Sequence, residues 1–156
     1  MNLMDTIRPT TWLRFDEIDR AVGAEVHFAS ETEQVTHSFK YRAASSVVQN
    51  IPSVGFLAAS SGNFGQALAC ACNRKGVPCI VVMPTTSAQV KIDAVRSHNA
   101  TIVFVDTKIQ TRASKVAEIA KDFPDYYIAS AYDCERVIQG NSTLGDEIAL
   151  YQDVPD

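Results

Sequence analysis

The chain has 156 residues, 46% hydrophobic and 21% charged, which is enough apolar material to close a core and excludes a disordered or fibrous polymer. Its formal charge of -4 leaves no excess of Lys and Arg to neutralise phosphates, so nucleic acid is not an expected partner. No apolar run approaches the ~18 residues of a membrane span, so none is expected.

In chain order, the opening residues carry no basic-then-apolar leader, and a cytoplasmic location is expected. A strand is predicted over 25–28 and a helix over 38–49. An apolar run over 54–59 predicts a buried strand. After the Ser60-Ser61-Gly62 turn a helix is predicted over 63–74, stopping at Lys75-Gly76. Further strands are predicted over 77–83, 101–105 and 126–128, and helices over 87–97 and 111–121. The stretch 135–151 reads as helical at both ends but interrupted by Gly140-Asn141-Ser142. Strands rich in β-branched residues, alternating with helices through short connections, predict an α/β fold. Its expected form is a doubly wound, mostly parallel sheet with flanking helices. Residues 1–50 differ in character from 51–150, and 151–156 read as a helix end leading onward.

Cys70, Cys72, Cys79 and Cys134 form no CxxC pair, and no histidine stands at ligand spacing from them. They are expected to be reduced, mostly structural thiols, with no metal site.

Two constellations carry chemistry. Lys40 stands in the run Thr36-His37-Ser38-Phe39-Lys40-Tyr41-Arg42-Ala43-Ala44. By itself a lysine at that place is a solvated helix residue; its amine could also form a Schiff base with an aldehyde. In Ser60-Ser61-Gly62-Asn63, hydroxyls and backbone N–H groups at a helix start suit an anion, and an ordinary helix cap explains the same residues.

Together they are more specific. Gln34, Thr36, Ser38, Phe39, Lys40, Arg42 and Ala44 match a Q-x-T-x-S-F-K-x-R-x-A pattern, and the loop follows at the expected distance. With Val82-Met83-Pro84, Lys91 and the stretch 137–148, the chain resembles the N-terminal half of fold-type II pyridoxal-phosphate enzymes. These are the threonine and serine dehydratase, serine racemase and threonine synthase group. The resemblance implies a small α/β domain over 51–150, with 1–50 belonging mainly to a larger cofactor domain whose remainder lies elsewhere. It implies pyridoxal 5'-phosphate as cofactor, Lys40 as its Schiff-base lysine, Phe39 packed beside it and Asn63 on its ring hydroxyl. It assigns the substrate carboxylate to Ser60, Ser61, Gly62 and Asn63, and the released Lys40 takes the α-proton before the β-substituent leaves. Lys91 and the 137–148 stretch are read as packing residues that touch no ligand.

There are departures. Thr11 stands where proline is usual, Ala29 where lysine is usual, and His37 and Ala43 where glycines are usual. His37 is either a divergent acid or base or the result of drift. The family's phosphate site is a run of four glycines at a helix start; this chain's seven glycines include no adjacent pair. A Schiff base on Lys40 without that cradle would be open to solvent. The expected activity is therefore part of a lyase or synthase for a serine- or threonine-like amino acid, completed by a C-terminal half or by a second copy. The apolar surface of the opening segment should then be exposed unless a partner covers it. The alternatives are a non-catalytic, partner-binding module of the same fold and, more distantly, a generic nucleotide-binding α/β domain.

Overall fold

The computed structural model describes residues 6–151, and the expectations for residues 1–5 and 152–156 lie outside it. Over the described residues strand and helix alternate. The elements are β1 (Thr11–Leu13), α1 (Asp16–Val22), β2 (Phe28–Ser30), α2 (Lys40–Asn50), β3 (Gly55–Ala59) and α3 (Asn63–Lys75). They continue with β4 (Cys79–Pro84), α4 (Gln89–Arg96), β5 (Thr101–Val105), α5 (Arg112–Asp122), β6 (Tyr126–Ile128) and α6 (Glu135–Ala149).

The last four strands form one sheet in the order β5-β4-β3-β6, with every neighbouring pair parallel, as the apolar runs predict. Alternate side chains of each strand go to opposite faces. Phe56, Ala58, Val81 and Met83 join a core with α2, α3 and α4, while Leu57, Ile80 and Val82 pack on Val116 and Ile119 of α5. Both faces are thus covered, which is why these strands carry no polar alternation.

Three expectations change. The short antiparallel pair β1–β2 and helix α1 are additions, and the strand expected over 25–28 lies at Phe28–Ser30 instead. Val26 looks strand-forming, but its N–H donates to Asp19 Oδ1 at 2.8 Å, so its backbone closes a loop. The 135–151 stretch is also not interrupted at Gly140-Asn141-Ser142: α6 runs unbroken through it. Gly140 is there for proximity. A Cβ on it would meet the Arg42 carbonyl oxygen and lie 2.8 Å from Ala43 Cα, so glycine lets α6 press onto the backbone of α2.

Arg42 ties these parts together. Its side chain is completely buried and its Nε and Nη2 fork onto both Glu31 oxygens at 2.7 and 2.8 Å. Nη1 reaches Glu147 Oε1 at 2.7 Å and Thr143 Oγ1 at 3.0 Å on α6. Glu147 Oε2 accepts the Thr10 N–H, and the Gln34 side chain pairs with both backbone groups of Arg8. A buried charge survives only when paired and hydrogen-bonded in this way. The network fixes the start of α2, and with it the residue before Tyr41.

Apolar side chains remain uncovered on the opening segment: Leu13, Phe15, Val22 and Phe28 are all exposed, as anticipated. No helix among the described residues is long and apolar enough to cross a membrane.

Candidate active site

Strand β3 is followed outward by β4 and β5, and the chain then returns to place β6 on the other side of β3. Where strand order reverses, the loops leaving the carboxyl ends diverge and leave a crevice, the usual ligand position of open α/β sheets. A cleft of about 730 Å³ lies there. The loop after β3 and the loop after β6 form its walls, and Phe39 and Lys40 enter from the start of α2.

Lys40 is the first residue of α2, placed by its buried neighbours Tyr41 and Arg42. Its side chain leads into the cleft, with Nζ 4.7 Å from the Phe39 ring centroid and 5.6 Å from that of Tyr132. No carboxylate lies within salt-bridge distance of Nζ among the described residues, so the amine is not committed to an ion pair.

The Ser60–Asn63 loop is shaped from within. Ser60 Oγ accepts the Gly65 N–H at 2.9 Å and, more distantly, the Gly62 N–H at 3.4 Å. The hydroxyl thus caps the first turn of α3. Gly65 makes this possible, because a Cβ there would stand 2.9 Å from the Ser60 carbonyl oxygen. Among the described residues the N–H groups of Ser61, Asn63 and Phe64 have no acceptor. They add to the positive end of a 13-residue helix, a disposition that favours a carboxylate. Asn63 Oδ1 accepts a hydrogen bond from Lys91 Nζ at 2.9 Å.

All of the sequence-predicted site residues, Phe39, Lys40, Ser60, Ser61, Gly62 and Asn63, line this one cleft. Among the further liners, two with chemistry of their own were not anticipated. Tyr132 follows β6, and Arg112 opens α5 with no hydrogen bond or ion pair among the described residues. The signal for Tyr132 was available: it stands in the loop after a predicted parallel strand. His37 is not among the liners. Its backbone is left-handed at φ 57°, and its Nδ1 donates to the Thr32 carbonyl at 2.8 Å.

These residues fit the ring end of pyridoxal phosphate: an uncommitted amine, aromatic faces beside it, and an amide for the ring hydroxyl. The phosphate end is different, because a chain with no adjacent glycines offers it no glycine-rich cradle.

Elsewhere, the four cysteines are free thiols, three of them buried. A hydrogen bond to Cys79, with burial, raises the Cys72 thiol well above its usual range. Tyr127, hydrogen-bonded to Cys134 at 3.3 Å, is pushed up to about 12.

Comparison with known proteins agrees with the geometry. The family model described as pyridoxal-phosphate dependent enzyme matches residues 3–156. The β-hydroxyaspartate dehydratase of Paracoccus denitrificans (strain Pd 1222) is 30% identical over 146 residues, covering 91% of this chain and 46% of that protein. Among solved structures, a pyridoxal 5'-phosphate-dependent aspartate racemase superposes with a TM-score of 0.87 at 34% identity, covering 96% of this chain and 48% of the other. Maize serine racemase shares the fold, with a TM-score of 0.90 over 95% of this chain and 46% of its own, at 24% identity. The chain spans about half the length of the curated relatives it matches.

Proposed function

The chain belongs to the pyridoxal-phosphate dependent enzymes, and from that membership we propose that it is the lysine-bearing part of a lyase, synthase or racemase for hydroxy-amino acids. The observation that carries this reading is that Lys40 and the Ser60–Asn63 loop share one cleft at the reversal of strand order. Pyridoxal phosphate, when bound, supplies an aldehyde for an amine and a ring that withdraws electrons from the substrate's α-carbon. In this reading Lys40 holds that aldehyde through Nζ, and once released takes the α-proton on the same nitrogen. The backbone N–H groups of Ser61 and Asn63 bind the substrate carboxylate, with Gly62 giving the loop its turn and Ser60 holding it in shape. Asn63 donates to the ring oxygen, while Phe39 and Tyr132 flank the amine.

Residues 1–50 then contribute to a larger cofactor domain, 51–150 form the small domain, and 151–156 lead toward the remainder. A complementary C-terminal half, or a second copy, supplies the phosphate cradle and covers Leu13, Phe15, Val22 and Phe28. The free thiols fit a reducing cytoplasm.

Arg112 favours a narrower substrate. An arginine that lines the same cleft and has no ion pair among the described residues suits a second carboxylate, and the Paracoccus relative is named for a substrate of that kind, β-hydroxyaspartate.

Reconstitution tests the reading. This chain, mixed with the C-terminal half of a full-length relative and pyridoxal phosphate, should form 2-oxo acid or racemise serine, threonine or hydroxyaspartate. A Lys40→Ala chain should be inert in the same mixture. Equal turnover by the Lys40→Ala mixture would refute it.

A further inference from the structure

Lys91 was read from the sequence as a packing residue, yet its ammonium lies 2.9 Å from the Asn63 side chain. A lysine ammonium has three donors and no acceptor, so the carboxamide atom facing it must be the oxygen. That settles the orientation of a group whose two ends are otherwise nearly interchangeable. Asn63 lines the cleft and Lys91 does not, so Oδ1 is held toward α4 and the amide nitrogen is left with both hydrogens uncommitted among the described residues.

We infer that Lys91 is a positioning residue that keeps the Asn63 NH2 turned toward the cleft as a hydrogen-bond donor. The inference rests on the proposed role of Asn63 at the cofactor's ring oxygen. That oxygen is best stabilised as an anion by a donor and is repelled by a carbonyl oxygen. Without Lys91 the carboxamide rotates about its last torsion, and either end faces the cleft. The ammonium also polarises the amide through its carbonyl, strengthening the N–H as a donor. Gln89, two residues earlier on α4, is committed to Asp93 and does not replace it.

The test uses the whole chain mixed with the C-terminal half of a full-length relative, pyridoxal phosphate as probe, and Lys91→Met and Lys91→Arg variants. Three readouts are combined: the Asn63 side-chain NH2 pair in ¹⁵N-correlated NMR, absorbance on titration, and mass mapping after borohydride reduction. In the wild type the Asn63 pair should be displaced from random-coil positions and move further with the cofactor. In Lys91→Met the pair should collapse toward random coil, cofactor affinity should fall about tenfold, and the long-wavelength absorbance of the ring-oxygen anion should diminish. Lys91→Arg, which is also donor-only, should restore all three. Reduction should still label Lys40 in each. An unmoved Asn63 pair in Lys91→Met, or wild-type affinity and spectrum in that variant, overturns the inference. So does labelling of Lys40 without any movement of Asn63. No label on Lys40 in the wild type overturns the functional reading, and this inference with it.

Discussion

Arg42 on α2 donates from Nη1 to Glu147 Oε1 on α6 over 2.7 Å, joining residues 105 apart in the chain. The contact divides the Lys40 motif in two. Phe39 and Lys40 face the cleft, whereas Gln34 and Arg42 are buried and bound to Arg8, Thr10, Glu31 and α6. Half of the motif makes the chemistry available; the other half holds it in place.

Removing Arg42 should therefore unfold the chain without touching the cleft. Arg42→Ala leaves Glu31 and Glu147 unpaired, and breaking a buried ion pair from one side costs about 3–5 kcal/mol. Arg42→Lys keeps the charge but cannot fork onto Glu31, so it should fall between the alanine variant and the wild type. Urea denaturation measures both; wild-type midpoints would show that the network contributes little.

The same network sets an acid limit. Burial acts to raise the Glu31 and Glu147 carboxyls, but the hydrogen bond from Arg42, assisted by Thr10, outweighs it and holds both below the usual range. Unfolded glutamates protonate near about pH 4.3 and the folded ones only below that. Between the two values the unfolded state binds more protons, so stability rises with pH there. It should be complete above about pH 5 and fall as pH drops through 4. Midpoints collected between those limits should show the slope, and Glu147→Gln should flatten it.

Gly140→Ala should destabilise despite improving helix propensity. The propensity gain is about 1 kcal/mol, whereas overpacking costs about 1–3 kcal/mol and here the obstacles are backbone atoms of Arg42 and Ala43. A net loss of up to about 2 kcal/mol is expected from thermal or urea melts. A stabilised variant would mean that α6 can retreat from α2 at no cost.

His37 tests strain against bonding. A left-handed φ costs a non-glycine residue about 1–2 kcal/mol, which glycine would save. Glycine would, however, forfeit the Thr32 hydrogen bond and lose about 0.4–1 kcal/mol through the unfolded state. These offset, so His37→Gly should lie within about 0.5 kcal/mol of wild type. His37→Ala keeps the strain and loses the bond, and should cost about 1 kcal/mol. Equal losses in both variants would contradict this balance.

The strands of the parallel sheet were legible because covering both faces demands an uninterrupted apolar run, as in Cys79–Pro84. Helix α3 was legible from its loop and its stop at Gly76. Helix α1 was not, because none of its seven residues is buried and no apolar stripe results. Gly140 was misread because sequence alone cannot tell a helix breaker from a close helix contact. In the site, Lys40 and Ser60–Asn63 were legible through their motif. Lys91 was not, since its partner Asn63 is 28 residues away and only the β3–α3–β4–α4 path brings them together.

The central claim is that Lys40 is the amine that holds pyridoxal phosphate. The direct measurement is borohydride reduction of the purified chain mixed with the C-terminal half of a full-length relative and the cofactor, followed by proteolysis and mass mapping of the modified peptide. One pyridoxyl group on Lys40, absent from Lys40→Ala while the other five lysines stay unmodified, is the predicted result. Label spread over surface lysines, equal in wild type and Lys40→Ala, would contradict it.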